Sequence, residues 1–344
     1  MRNRARLHRL PRFEPRIHLL PRVGIAGPQD GNRERRPLPP RGNRNQKGRG
    51  RGGEMGVGAF SRRGWGMRIV SLIENERGRE GCAWAHGLSL YVESGKRAIL
   101  VDFGPDGAFL ENARRLGIDV GNVDAAFLSH GHYDHAGGMA DFRAANGSAP
   151  IYVQKNAFGD HFADDGGSFR FIGVDRNFAA LSSVVVLDGD ADIGDDISVF
   201  TVARRAHALP STNARILMKK GGELVPDDFS HEQCVVVNSG GARILLSGCA
   251  HSGILNIMEE FERKFGGAPD IAISGFHLMR KNSYGDDDVT EVRKIAEALR
   301  RYPTSFVTCH CTGLEPFSVM KEIMGEQLSY LRSGEELSVK AVAN

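Results

Sequence analysis

From residue 67 onward the chain alternates between two hydrophobic rhythms. Apolar runs at 68–73, 87–93 and 97–101 have the length and β-branched content of strands, and the last two flank Ser94-Gly95-Lys96 as a hairpin. The pattern then predicts a helix over 107–116, a buried strand over 123–128 and a helix over 136–145. A short strand at 151–153, a helix at 155–162 and a loop at 163–180 come next. Five strand-like runs follow as a meander, at 183–187, 197–202, 214–219, 234–238 and 243–246. Helices at 253–265, 289–301 and 317–323 alternate with strands at 270–274 and 305–308, and Asp288-Val-Thr-Glu291 reads as a capping box. Two β-rich halves with helices outside them predict an α/β (α+β) chain folded as a four-layer αββα sandwich of two mixed β-sheets.

Charge divides the chain. Residues 1–66 carry 17 Lys+Arg against 4 Asp+Glu, whereas the rest holds 28 basic and 38 acidic residues. The first segment is rich in Arg, Gly and Pro and has little to bury, so it is expected to be a disordered basic tail or an over-extended start. The expected organisation is therefore a tail over 1–66, one domain over 67–335 and a C-terminal tail over 336–344. Nucleic acid is not expected as a partner except through the Arg-Gly run at 48–53 of that tail. Five cysteines (82, 234, 249, 309 and 311) are too few for a disulfide framework, which sets a reducing cytoplasm as the expectation. No apolar run reaches about 18 residues, so no membrane span is expected.

Chemistry concentrates at Ser129-His-Gly-His-Tyr-Asp-His-Ala-Gly-Gly138. It places His130, His132, Asp134 and His135 within six residues, between a predicted strand and a predicted helix. On an extended segment alternate side chains share a side, so His130 and His132 can hold one ion. The turn into the helix then offers Asp134 and His135 to a second, at the roughly 3.5–4 Å spacing of two-metal sites. Imidazole with carboxylate suits zinc best, with iron or manganese as alternatives. Three further histidines, His251, His277 and His310, each stand at the C-terminal end of a predicted strand, where loops gather into a site. Cys249, two residues before His251, either touches a metal or packs beneath it. Cys309-His-Cys311 lacks the paired spacing of a structural zinc site. Neither a Gly-x-Ser-x-Gly elbow nor a phosphate-binding glycine loop is present.

His130-Gly-His-Tyr-Asp-His135 resembles the His-x-His-x-Asp-His signature of the metallo-β-lactamase fold, and Asp102-Phe-Gly104 its upstream turn. Residues 87–90, 128–138, 247–256, 275–278 and 310–313 resemble, more narrowly, the branch named for 7,8-dihydropterin-6-methyl-4-(β-D-ribofuranosyl)aminobenzene-5'-phosphate synthase. The chain departs from the common pattern at Cys249, where many members have Asp, and in lacking a Gly-His-Thr-Pro-Gly motif. The resemblance implies His251 as the replacement third-motif ligand, with His207 as a second candidate, and His310 as the final ligand of the second ion. The implied metal set is then His130, His132, Asp134, His135, His251 and His310, holding two divalent ions. Asp134 and His277 are the implied catalytic pair, the first shuttling a proton and the second contacting substrate, while Asp102 would orient a ligand imidazole.

That set implies a metal-dependent hydrolase in which a metal-bridging hydroxide attacks a small phosphoester, lactone or thioester. A synthase joining a dihydropterin to a ribosylaminobenzene phosphate is the alternative, and a non-catalytic ligand-binding member the third reading. The expected partner is a small-molecule substrate. Homo-oligomerisation stays open.

Overall fold

A computed structural model of the chain describes residues 17–19, 66–95 and 97–339. Most of the basic segment expected to be a tail lies outside the described residues.

Two large mixed sheets form the centre. The first has eight strands in the order Ile17–Leu19, Glu336–Val339, Met67–Ile73, Ser89–Ser94, Arg97–Val101, Ala125–Phe127, Ile151–Gln154 and Val184–Leu187. Its first five strands pair antiparallel and its last three join in parallel. In the second the order is Ala191–Asp192, Ile197–Phe200, Cys234–Ser239, Ala242–Leu246, Ile271–Ser274, Ser305–Thr308 and Leu328–Tyr330. It too begins antiparallel and ends parallel.

The alternation of the strands builds three apolar layers. Met67, Ile69, Val92, Val101 and Phe127 meet Val235, Val237, Ile244, Ile273 and Val307 between the sheets. On the outer face of the first sheet, Val70, Leu72 and Leu100 pack under the helices Ala108–Arg115 and Met139–Ala145 through Phe109, Ala113, Met139 and Phe142. Beyond the second sheet, Val236, Leu245, Ala272 and Phe306 carry the helices Ile254–Phe265, Asp286–Leu299 and Leu314–Met324. Helix Ile254–Phe265 buries Ile254, Ile257, Met258 and Phe261, the spacing of one helical stripe. This is the expected αββα sandwich. Among the described residues no helix is long and apolar enough to cross a membrane.

Four expectations need correction. Residues 336–339, placed in a C-terminal tail, form a strand against Met67–Ile73 and bury Leu337 and Val339. Ile17–Leu19, inside the segment expected to be disordered, is an edge strand on Glu336–Val339. The helix expected at 155–162 is a short 3-10 turn, Lys155–Phe158, followed by strand His161–Asp164. That strand joins Phe169–Phe171, Ile216–Lys220 and Glu223–Pro226 in a separate four-stranded antiparallel sheet, so the expected meander divides among three sheets.

Candidate metal centre

The parallel strands all point their C-terminal ends to one place. Arg97–Val101 leads into Asp102, Ala125–Phe127 into His130, Ala242–Leu246 into Cys249 and His251, Ile271–Ser274 into His277, and Ser305–Thr308 into His310. Five non-glycine residues with positive φ occur among the described residues: Asp102 (64°), Phe229 (51°), Ala250 (52°), His277 (50°) and His310 (48°). All five lie in these turns or against them. Left-handed backbone at such residues costs about 1–3 kcal/mol each and persists only where the surroundings hold it.

Two buried glutamates hold the turns at residues 250–252 and 310. Glu232 accepts hydrogen bonds from the His251 and Ser252 backbone N–H groups at 2.6 and 2.8 Å. Glu74 accepts from the His310 N–H at 2.8 Å and from the Tyr330 hydroxyl at 2.7 Å. Burial pushes the Glu74 carboxyl up, against the hydrogen bonds that favour its charge. Gly248 is needed for a different reason, since a Cβ there would stand 2.1 Å from Ser129 Oγ.

His130, His132 and His251 converge, with ring centroids 4.6–4.8 Å apart and ligand atoms within 4.8 Å of one another. All three are buried, and the Nε2 of each has no hydrogen-bond partner among the described residues. Their other nitrogens explain two of those lone pairs. His251 Nδ1 donates to Asn213 Oδ1 at 2.9 Å, leaving Nε2 unprotonated. Ser129 Oγ donates to Asp102 Oδ2 at 2.7 Å and accepts from His130 Nδ1 at 2.9 Å, with the same result. Burial first, then the neighbouring imidazoles, holds His130 and His251 well below the usual histidine range. His132 is lowered likewise by burial and by His231. Neutral imidazoles with free, desolvated lone pairs are the donor set a divalent cation fits.

A second group forms beside the first. Asp134 Oδ2 lies 3.4 Å from His310 Nε2 and 3.8 Å from His135 Nε2. His135 Nδ1 donates to Asp102 Oδ2 at 2.6 Å, and His310 Nδ1 donates to Asn75 Oδ1 at 2.8 Å, so the two Nε2 atoms face each other at 3.1 Å. Two imidazole lone pairs that close need a proton or a cation between them. Burial opposes charge on His135, but Asp102 and Asp134 outweigh it and raise its pKa to about 9. In the metal-free chain a proton therefore occupies that place. Asp134 stays well below the carboxylate range, because His135, His310 and His86 overcome its burial.

The remaining expected residues separate. His277 stands 4.1 Å from the His251 ring with a buried, unpaired Nδ1, in a group with Cys249 and Cys311. Cys249 Sγ is 3.2 Å from His135 Nε2 and groups with His130 and His135, between the two clusters. His207 lies away from them, half-exposed and bonded to Glu259 at 2.7 Å. Cys309 is core between the sheets.

Sequence reasoning missed several residues. His86 brings Nε2 to 3.4 Å from Asp134 Oδ2, and nothing in its surroundings in the chain marks it. Glu74, Asn75, Asn213 and Glu232 are ordinary polar residues until the fold brings them to the turns that carry His251 and His310. His161, Asp227 and His231 form a further buried group with His132.

The model of the Metallo-beta-lactamase superfamily matches residues 83–298. An uncharacterized protein of Methanocaldococcus jannaschii, MJ0448, is 26% identical over 262 residues, covering 74% of this chain and 94% of its own. From the same organism, 7,8-dihydropterin-6-methyl-4-(beta-D-ribofuranosyl)-aminobenzene-5'-phosphate synthase is 26% identical over 288 residues, covering 78% and 95%. Among solved structures, Tm1679, described as a metal-dependent hydrolase of the beta-lactamase superfamily, superposes with a TM-score of 0.67 at 28% identity, covering 80% of this chain and 99% of that one. With the sandwich, the strand-end site and the matched signature in place, the chain belongs to the metallo-beta-lactamase superfamily.

Proposed function

We propose that the chain is a metal-dependent hydrolase with two zinc ions, acting on a small phosphoester. One observation carries the metal part: His130, His132 and His251 are buried together with Nε2 atoms that nothing among the described residues satisfies. An unsatisfied buried polar group costs about 1–3 kcal/mol, which a shared cation would offset. Those three would hold one ion, and Asp134, His135 and His310 the other, with Cys249 between them. Bound divalent ions would supply Lewis acidity at the substrate oxygen and lower the pKa of a water toward neutrality.

The protein side of the chemistry follows from the hydrogen bonds. Asp102 holds His135 directly and His130 through Ser129, fixing both tautomers. Asp134, held ionised, would orient the attacking water. His277, with an unpaired Nδ1, would meet the substrate as acid or anion contact. Phosphoester is favoured over lactone or thioester by a cluster of cations around Asp165. Arg170, Arg215 and Lys281 all bond the single carboxylate of Asp165 at 2.9, 2.5 and 2.9 Å. Arg170 also stands beside Tyr133, the neighbour of Asp134. Three cations on one anion leave a local positive patch that would suit a phosphate.

The synthase alternative rests on the 26% identical relative of that name, and both chemistries would use the same ions. A substrate panel separates them. The metal-loaded chain is offered phosphodiesters, phosphomonoesters, lactones, thioesters, and a dihydropterin with a ribosylaminobenzene phosphate. Phosphoester turnover that chelation abolishes and Zn²⁺ restores is the expected result. Coupling of the pterin pair without phosphoester turnover would overturn the hydrolase.

A further inference from the structure

Beside the metal centre, His132, His161, Asp227 and His231 bring their ligand atoms within 4.8 Å, all four side chains buried. By composition this could be a third ion position. The hydrogen bonds point elsewhere. The Gly131 backbone N–H donates to His231 Nδ1 at 2.9 Å, so the neutral ring carries its proton on Nε2. That nitrogen makes no hydrogen bond among the described residues and faces Asp227 Oδ1 at 3.4 Å. Asp227 also accepts from His161 Nδ1 at 2.6 Å and from the Phe229 N–H at 2.8 Å. Its carboxyl is held well below the usual range, since the bond from His161 and the nearby His231 ring overcome its burial. An Nε2 that carries a proton is not a ligand.

Gly131 is the residue between His130 and His132, and its peptide is pinned from the other side too. A Cβ at Gly131 would meet Ala157 O at 2.3 Å, so no side chain fits. The peptide is thus trapped between the Ala157 backbone and the His231 ring. The rings of His231 and His161 also wall His132, with centroids 5.2 and 5.7 Å away.

We infer that Asp227, acting through His231, fixes the Gly131 peptide and thereby the directions of His130 and His132, making both Asp227 and His231 positioning residues for the first ion. This rests on the reading of His130, His132 and His251 as an ion position. Removing a partner of this kind weakens metal affinity by about 10–100-fold rather than deleting a site.

The test uses the full chain, Co²⁺ as the probe, and the variants His231→Ala, Asp227→Asn and His231→Asn. Asparagine places Oδ1 near the position of Nδ1 and can still accept from Gly131. Expected for His231→Ala and Asp227→Asn is one Co²⁺ position weakened by about 10–100-fold with an altered absorption spectrum and an unchanged number of ions at saturation. His231→Asn should restore most of the affinity. In the metal-free chain, amide exchange at Gly131 should speed up in His231→Ala and stay slow in His231→Asn. Variants that bind Co²⁺ with unaltered affinity and spectrum would overturn the inference. So would loss of a whole equivalent at saturation, which would make the group an ion position of its own. Should His231→Ala fail to fold, the two near-isosteric variants decide alone. If the unaltered chain takes up no Co²⁺, the metal centre fails, and the Gly131 exchange rates still decide whether His231 pins that peptide.

Discussion

At the scale of single residues, histidines of one kind take four roles according to what their second nitrogen meets. His130 and His251 give their Nδ1 protons to Ser129 and Asn213 and keep Nε2 free. His231 receives an N–H at Nδ1, so its proton sits on Nε2, which faces Asp227 at 3.4 Å. Among the described residues His277 has no partner for Nδ1, and His207 is bonded to a half-exposed glutamate. Replacements should sort accordingly. His310→Ala and His251→Ala are each expected to lose about one equivalent of metal, read by elemental analysis. His277→Ala should keep its metal while turnover falls by roughly 10²–10⁴, the usual worth of a general acid or base. If His277→Ala loses an ion and His310→Ala does not, the two roles are exchanged.

His135 adds a pH dependence. Its folded-state pKa of about 9 lies above the ordinary 6.5. Its proton therefore stabilises the metal-free chain fully below about pH 6.5, and that contribution is lost as pH rises through 9. A metal ion competes with the same proton. Affinity at the second position should accordingly rise with pH and level off above about 9, with one proton released per ion, measurable by titration calorimetry in two buffers. Affinity independent of pH between 7 and 9 would mean that His135 is no ligand. These residue roles were only half legible beforehand. The clustered motif announced itself through spacing, and strand ends pointed to His251, His277 and His310. His86, Glu74 and Glu232 stayed hidden, because each is separated from its partners by 19 to 236 positions and acquires meaning only from the fold.

At the scale of elements, strands and helices with clear periodicity were legible, among them the hairpin Ser89–Ser94 with Arg97–Val101 and helix Ile254–Phe265. The segment 155–180 was not, because its aromatic spacing fits a helix as well as a small sheet. Phe169 and Phe171 turned out half exposed on an edge strand. The last strand was missed for another reason. Glu336–Val339 is short, and its apolar positions Leu337 and Val339 alternate over too few residues to stand out. It is nonetheless a full member of the first sheet. Leu337 is completely buried between the sheets, so Leu337→Ala should cost about 2–5 kcal/mol in denaturant unfolding. A cost below about 0.5 kcal/mol, typical of surface changes, would return this segment to the status of a tail.

At the scale of the whole molecule, two half-sheets switch from antiparallel to parallel pairing, and their parallel ends meet over one site. The stable central core lets five non-glycine residues sit in left-handed backbone around that site. All the proposed ligands belong to the described region beyond residue 66, so removing residues 2–66 takes away one edge strand and no ligand. Metal content should be unchanged by that deletion, and elemental analysis of the truncated chain checks it. Most direct of all is a zinc titration of the chelator-stripped full chain, following bound ion and phosphodiester hydrolysis together. Two equivalents should bind per chain, with hydrolysis returning as the second position fills. A chain that binds no zinc, or one that hydrolyses equally well when stripped, would contradict the two-ion centre.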